Sequence, residues 1–428
     1  LHPHAKVSIK GVKQITAQQY TADSASNNVC SWSIQPPSQN TIIDRRFMLH
    51  AKVSLTNAGG NWVAGLNQGA ERTACRFQST VAVGAVLPTA INSGSVANRD
   101  NVLSLRQMPL TSCIDVIDLE INGTHMSVSI GDYIHALMRY TTPEYREKYL
   151  SETAHAPDVA SDYQIFYGKP LNPLSGNGNV CRAGEQSRGS LTPYGHGTNQ
   201  LIYDLREPLF IAPLLMGGEF EGMTNVNQLN INIRWKSDLS KVYSALAQNA
   251  LTGENAYADG AGAPPVQTTA DITVDMLGGT TNFKPELELI YYTAQDDIAI
   301  PNEILLPYHQ PQVYVKTISA VAKDANASIV GDNIRVNQVP NKMYVWVQKS
   351  RASKNGFDAD YFFTPQSVNI TWNNQVGVLS GASQSQLHSI SVDNGLETPF
   401  NLATDLNTGE GFPLCFEFGK DIPLETGE

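Results

Sequence analysis

The chain has 428 residues, more than a single hydrophobic core usually holds, so we expect two domains. An apolar fraction of 41% excludes wholesale disorder, and a net charge of −11 without a basic run argues against a protein that coats nucleic acid directly. Charged residues make up only 16% of the chain, against about 25% in ordinary soluble domains. This low charge suits a surface partly covered by neighbours, because charge is costly to desolvate.

Alternation of apolar and polar residues, the pattern of half-buried β-strands, dominates the first half of the chain. It predicts strands at 47–55, 117–121, 126–130 and 229–235. Between the second and third of these, Asn122-Gly123 predicts a type I′ hairpin turn, because both residues tolerate positive φ.

The second half repeats this pattern, with few helical segments anywhere in the sequence. Strands are predicted at 287–291, 343–347, 368–372 and 414–418. Helices are predicted at 132–140, 240–251 and 383–392. Asn394-Gly395 provides a good stop for the last helix.

The two halves share one order of elements: a strand, an Asn-containing turn, a return strand, a helix and a closing strand. A duplicated antiparallel sandwich explains this order. Residues 252–270 are rich in Gly, Ala and Pro and lack periodicity, which predicts a linker. We therefore expect a first domain over 1–251, a linker over 252–270 and a second domain over 271–428.

A long irregular segment at about 152–200 interrupts the first domain. The segment is rich in Gly, Asn and Ser but also carries apolar side chains such as Phe166 and Leu174. Loops of this length are usually functional. We expect it to be ordered by packing on a neighbouring subunit, and folding back on its own domain is the alternative.

Motifs that carry chemistry are missing from the sequence. It contains no nucleophile elbow, no zincin motif, no phosphate loop and no dinucleotide fingerprint. His125 and His135 flank the predicted hairpin-to-helix junction, but a structural role is favoured over metal binding for both. Asp358 and Asp360 could bind a cation, but we favour a solvated turn at this position. We predict no catalytic residue, no cofactor-binding residue, no metal ligand, no cofactor and no enzymatic activity.

Four aromatic residues offer a further candidate site. Tyr291, Tyr292, Tyr344 and Trp346 could form a platform on which a sugar or a base stacks. Aromatic residues in alternating strands more often pack as cross-strand core pairs. We favour the core role.

The five cysteines are widely spaced and form no C-x-x-C pair, so we expect reduced thiols rather than disulfides or a zinc site. The longest strongly apolar run, 208–216, is far shorter than the roughly 20 residues that span a bilayer. No segment has the layout of a signal peptide. These features predict a soluble protein made inside the cell and not secreted.

Several segments resemble the double jelly-roll major capsid proteins of small double-stranded DNA viruses, particularly those of polinton-like viruses and virophages. The residues that carry the resemblance are ILLPY at 304–308, VPNKMYVWV at 339–347, the run from 368 into the helix SGASQSQLHSIS, FEFGKDIPL at 416–424, LNINIRW at 229–235 and the segment 208–215. They cover about half of the chain, in pieces.

The resemblance implies an all-β fold of two tandem eight-stranded antiparallel jelly-roll sandwiches with short connecting helices. It also implies a major capsid protein that trimerises into pseudo-hexameric capsomers of an icosahedral shell. The partners implied are other copies of the chain, minor capsid and penton proteins, and an internal membrane in some family members. The main alternative is a two-domain β-sandwich binding protein of the adhesin or lectin type; a polysaccharide hydrolase and a single-jelly-roll capsid protein are further ones.

Overall fold

The computed structural model describes most of the chain outside several loops. The described residues are 12–37, 41–57, 75–78, 100–142, 144–145, 150, 153, 195–196, 200–211, 214, 222–239, 242–247, 272–279, 282–295, 311–321, 325–353, 362–373, 375–404 and 411–424. The predicted linker at 252–270 and nearly all of the irregular segment at 152–200 lie outside them.

Two compact units make up the chain. Unit 1 comprises residues 1–138, 143–309 and 355–360, and unit 2 comprises 139–142, 310–354 and 361–428. In the described residues of unit 1 the strands are Gln14–Thr21 (β1), Ser24–Ala25 (β2), Val29–Ile34 (β3), Thr41–Asp44 (β4), Met48–Asn57 (β5), Cys75–Gln78 (β6), Asp100–Leu105 (β7), Ile114–Ile121 (β8), Thr124–Val128 (β9), Gly195–His196 (β10), Gln200–Pro208 (β11), Gly222–Met223 (β12), Leu229–Trp235 (β13), Tyr243–Ala247 (β14), Ile272–Asp275 (β15) and Glu286–Thr293 (β16). Its helices are Pro109–Cys113 (α1) and Ile134–Met138 (α2), with a 3-10 turn at Ile130–Asp132.

Antiparallel pairing joins the strands of unit 1 into three sheets. The large sheet has the order β10-β11-β5-β16-β4-β12, with β1 also paired to β16 and β15 to β5. The five-stranded sheet has the order β2-β3-β13-β8-β9, and a three-stranded sheet has the order β14-β7-β6. Alternate residues of β13 and β16 are buried, so each of the two larger sheets contributes one apolar face to the core.

The predicted hairpin is confirmed. β8 and β9 pair antiparallel around Asn122 and Gly123, whose φ angles are 48° and 83°. The side chain of Asn122 accepts hydrogen bonds from the backbone N–H groups of Asn227 and Gln228 and donates to the carbonyl of Asn225. The turn is therefore fixed both by its backbone and by the strand connection beside it.

Unit 2 combines short strands with two helices. In its described residues the strands are Lys342–Val345 (β17), Ile370–Trp372 (β18), Gln375–Val378 (β19) and Leu414–Glu417 (β20), and the helices are Gln384–Asp393 (α3) and Phe400–Thr404 (α4). β17 pairs with β20 and β18 pairs with β19. These described residues therefore show four strands, against the eight that the family resemblance implies for this sandwich.

Helix α3 confirms the helix predicted at 383–392. The hydroxyl of Ser383 accepts from the backbone N–H of Gln386, whose side chain accepts from the backbone N–H of Ser383, which makes a capping box. Gly395 follows the helix with a φ of 107°. Leu387, on the inner face of α3, packs with Phe412 and Phe416 in the apolar core of unit 2.

One sequence-based prediction is wrong. The helix predicted at 240–251 is in part strand β14, which pairs with β7; a partner strand has overridden a weak helical pattern. The linker predicted at 252–270 lies outside the described residues and stays a prediction; after it, β15 pairs with β5, and β16 pairs with β1, β4 and β5. These two strands belong to unit 1 because they pair with strands that are distant in the sequence, and composition alone cannot predict such pairing.

The 3-10 turn at Ile130–Asp132 allows a test of packing in unit 1. A Cβ added to Gly131 would collide with the carbonyl oxygen of Ile114 and lie 2.9 Å from that of Ser112. We predict that Gly131→Ala lowers the free energy of unfolding by about 1–3 kcal/mol, measured by chemical denaturation. Gly381→Ala is the control, since a Cβ there meets no atom within 4 Å. Equal stability of the two variants would contradict this packing.

Candidate functional site

A buried carboxylate on β11 accepts four hydrogen bonds in unit 1. Glu207 is 1% exposed. The backbone N–H of Leu110 and the hydroxyl of Thr153 donate to its Oε1 at 3.0 and 2.7 Å. The backbone N–H and the hydroxyl of Thr111 donate to its Oε2 at 2.8 and 2.6 Å. Four donors therefore converge on one carboxylate.

These hydrogen bonds connect the two larger sheets. Glu207 lies on β11 of the large sheet, opposite Leu49 of β5. Its backbone donors belong to the first turn of α1, which runs directly into β8 of the five-stranded sheet. Burial raises the pKa of the Glu207 carboxyl above its ordinary value, and the bonds from Thr111, Thr153 and Leu110 oppose that shift.

The core of unit 2 has its own polar contacts. The Nδ2 of Asn394, just after α3, donates to the carbonyl of Cys415 at 2.9 Å and to Oδ2 of Asp421 at 2.6 Å. The Nζ of Lys420 donates to the Oδ1 of Asn394 at 2.9 Å. The side chain of Asn394 thus uses both its donor and acceptor atoms to hold the end of α3 against β20.

His388 is a buried histidine with a structural environment. Its ring makes edge contacts with Phe400 and Phe412, at centroid distances of 5.2 and 5.1 Å. Its Nε2 lies 2.8 Å from the carbonyl oxygen of Thr398. This arrangement suits packing within the core of unit 2.

The histidines and carboxylates singled out in the sequence are not assembled into a site within the described residues. His125 is exposed and lies 3.6 Å from Glu120, whereas His135 is half-buried on α2. Asp358 and Asp360 lie outside the described residues. Among the residues that the structure describes, no group of three or more His, Cys, Asp or Glu side chains could hold a metal ion.

The aromatic candidates separate into two units. Tyr291 is buried on β16 in unit 1, where its hydroxyl lies 2.8 Å from that of Tyr20. Tyr344 belongs to β17 in unit 2, where its ring packs edge-on against Tyr140 at 5.1 Å. Tyr291 has the core role that we favoured from the sequence, whereas Tyr344 is half-buried.

Glu207 was missed from the sequence, although a signal exists. Tyr203, Leu205 and Glu207 alternate along β11, and all three are buried. The alternation therefore predicts that Glu207 points into the core. What it cannot predict is the set of donors, because these come from residues 54 and about 96 positions away along the chain.

The comparisons with known proteins match both parts of the chain. The family model for the first domain of the Sputnik virophage major capsid protein matches residues 5–194. The model for the C-terminal domain of the major capsid protein V20 matches residues 312–427. The two ranges do not overlap and together cover more than half of the chain.

Individual relatives agree with the family models. The putative capsid protein V20 of Sputnik virophage is 25% identical over 456 residues, which cover 99% of this chain and 68% of that protein. A cryo-EM structure of the Sputnik virophage has a TM-score of 0.69 at 22% identity, covering 99% of this chain and 80% of that one. The crystal structure of the mavirus major capsid protein has a TM-score of 0.51 at 11% identity, covering 100% and 82%.

Fold and matches together define the class: the chain is a major capsid protein with a double jelly-roll fold. The second matched range, 312–427, lies mostly within unit 2. Within this class, the chain is similar to the major capsid proteins of virophages, and the resemblance found in its sequence is confirmed.

The first prediction for the site concerns Glu207. Glu207→Ala leaves the N–H groups of Leu110 and Thr111 without acceptors in the core, so we expect a loss of about 3–5 kcal/mol in the free energy of unfolding. Glu207→Gln still places an NH₂ group against one of these N–H donors, so we expect a loss of about 1–3 kcal/mol. Chemical denaturation measures both losses.

Asp118→Ala is the matched control, because Asp118 is an exposed carboxylate on β8 of the same sandwich. We expect a change within about 0.5 kcal/mol. Equal losses in Glu207→Ala and Asp118→Ala would show that the buried carboxylate does not connect the sheets.

The second prediction concerns the thiols. Cys30, Cys113 and Cys415 are buried thiols that form no disulfide; Cys181 and the side chain of Cys75 lie outside the described part of the chain. Burial raises the pKa of the Cys415 thiol to about 11, which disfavours the reactive thiolate. We predict that a reducing agent leaves the melting temperature of the full chain unchanged. A drop of more than a few degrees would reveal a disulfide.

Proposed function

We propose that this chain is the structural subunit of an icosahedral virus shell, in which three copies form a pseudo-hexameric capsomer. The observation that carries the proposal is the match of both capsid-protein domains, in order, along one chain. Two sandwiches in each of three subunits would give six similar lobes, and closed rotational symmetry is the usual form of homo-oligomers.

The distribution of exposed apolar side chains supports self-association. Among the described residues, only Ile15 and Val29 of unit 1 are large, apolar and strongly exposed, while unit 2 has many such residues. Val315, Val330 and Val376 are 78%, 77% and 77% exposed. Because burial of apolar side chains away from water is favourable, these positions suit contacts between neighbouring subunits.

The remaining parts of the proposal follow from the same class. We infer that the protein resides in the virion after synthesis in the host cell, and that it acts as a structural protein rather than an enzyme, without cofactor or metal. Minor capsid and penton proteins are its proposed partners besides itself, with an internal membrane as a further one. The net charge of −11 supports a shell that encloses the genome without sequence-specific contacts to it.

One further expectation from the sequence stays a prediction. We propose that the segment at about 152–200 packs on a neighbouring subunit.

No helix among the described residues is long and apolar enough to cross a membrane. The capsid models support a shell function over the two-domain binding protein considered as the alternative.

Sedimentation of the purified full chain tests trimerisation. We expect a particle with three times the mass of one chain at micromolar concentration, and hexagonal capsomers by negative-stain microscopy. Val315→Asp and Val330→Asp each place a charge where an apolar contact is proposed, so we expect the association to weaken at least about tenfold. Asn369→Asp, at an exposed polar position of unit 2, is the control and should leave the assembly unchanged. A wild-type monomer at micromolar concentration would refute the trimer.

A further inference from the structure

Strand β1 has one unpaired edge. It pairs with β16 on one side, and among the described residues no strand pairs with it on the other. Just after β1, the N–H of Ala22 donates to the carbonyl of Pro285 in the same register. Because hydrogen bonds alternate along an antiparallel pair, the backbone groups of positions 14, 16, 18 and 20 point toward β16. Those of positions 15, 17, 19 and 21 therefore point to the unpaired edge.

The residues of β1 leave this edge open to another strand. Its sequence, QITAQQYT, contains no charged residue and no proline, and its register with β16 has no bulge. Seven of its eight residues are exposed, and Tyr20 is half-buried. Natural edge strands usually carry charges, prolines or bulges that prevent a further strand from adding. An exposed edge that has none of these suits β-augmentation, in which an extended segment joins the sheet.

The two faces of β1 define the side chains that an added strand would need. On one face Ile15 lies opposite Tyr292, and Ala17 lies opposite Ile290. Ile15 is 61% exposed, so this apolar face continues to the unpaired edge. On the other face, positions 14, 16 and 18 are Gln, Thr and Gln, all exposed. A matching strand would therefore alternate apolar side chains beside Ile15 and Ala17 with polar ones beside positions 14, 16 and 18.

The segment 311–321 of unit 2 has this alternation. It belongs to no strand, and positions 311–317 are all exposed. Val313 and Val315 alternate with side chains that carry polar atoms at 312, 314 and 316. The hydroxyl of Tyr314 donates to Oε1 of Gln312 at 2.9 Å, which places these two side chains together as in an extended chain. Val315 is 78% exposed, so the apolar positions of the segment are available for a contact.

We propose that segment 311–321 of one copy adds as a strand to the unpaired edge of β1 in a second copy. Val313 and Val315 then lie beside Ile15 and Ala17, and the backbone groups at the edge gain partners. The two surfaces differ, so the contact is heterologous, and three such contacts can close a ring in which each copy donates one segment and accepts one. The inference rests on the proposed capsomer and names the strands that join its subunits.

Disulfide trapping between two variants that each gain one cysteine tests the pairing. Ala17→Cys in one tagged chain and Val315→Cys in a differently tagged chain are mixed at micromolar concentration and oxidised. Residues opposite each other on adjacent strands have Cβ atoms about 4.5–5.5 Å apart, close to the separation that a disulfide needs. We expect a non-reducing gel to show a species of twice the chain mass that carries both tags. Neither chain contains both new cysteines, so a disulfide between them joins two copies.

Three further mixtures complete the trapping experiment. Val313→Cys replaces Val315→Cys in one of them, since the register along the edge decides which valine lies opposite Ala17. Tyr314→Cys is the matched control, because alternation directs this neighbouring side chain to the other face, and we expect at most about one tenth of the product. Wild-type chains with the same two tags give the background from the native cysteines.

A proline at position 17 tests the backbone contact independently. Ala17→Pro removes an N–H that points to the unpaired edge and leaves the hydrogen bonds to β16 in place. We expect sedimentation to show association weakened at least about tenfold, with the strand content unchanged by circular dichroism. Ala17→Val keeps the N–H and should associate like the wild type. If Ala17→Pro fails to fold, the trapping experiment decides.

Sedimentation of the wild type separates this pairing from the proposed capsomer. If the wild type forms trimers but neither valine position gives more doubly tagged product than Tyr314→Cys, the strand pairing is overturned and the capsomer stands. A folded Ala17→Pro variant that associates fully also overturns the pairing. A wild-type monomer refutes the capsomer, and the pairing with it.

Discussion

A single buried carboxylate, on Glu207, has four hydrogen bonds that span the core of the first sandwich, and the arrangement of both larger sheets depends on them. A sandwich held only by apolar contact can slide, because hydrophobic attraction has no preferred direction. The bonds to the first turn of α1 and to Thr153 have fixed geometry, so they set where β8 begins relative to β11. The buried carboxylate is tolerated because four donors form hydrogen bonds to it and so replace those it would make with water.

Position 207 also shows how one strand serves two environments. Glu207 lies opposite Leu49 and points inward, while its neighbour Arg206 lies opposite His50 and points outward. The inner carboxylate is isolated from solvent and needs fixed partners, whereas Arg206 on the outer face forms an ion pair with Glu288.

Local elements of this fold were predictable from the sequence, and long-range ones were not. The turn at Asn122-Gly123 and helix α3 were predicted because their signals are local: residues that tolerate positive φ, and a capping box at Ser383. Strand β14 and the assignment of β15 and β16 to unit 1 depend on partner strands far away in the chain. The buried position of Glu207 follows from alternation, but its donors do not, because periodicity predicts which face a side chain lies on and not which residues it contacts.

The exposed apolar residues of unit 2 connect stability to assembly. A chain that leaves side chains such as Val315 and Val330 in water gains free energy when neighbours cover them, so binding between copies stabilises the folded state by mass action. Unit 1 has few such residues among those described and holds its sheets with internal polar contacts such as those of Glu207. Among the described residues, exposed large apolar side chains are thus few in unit 1 and many in unit 2. That difference suits the proposed shell subunit, which must fold before it meets its neighbours.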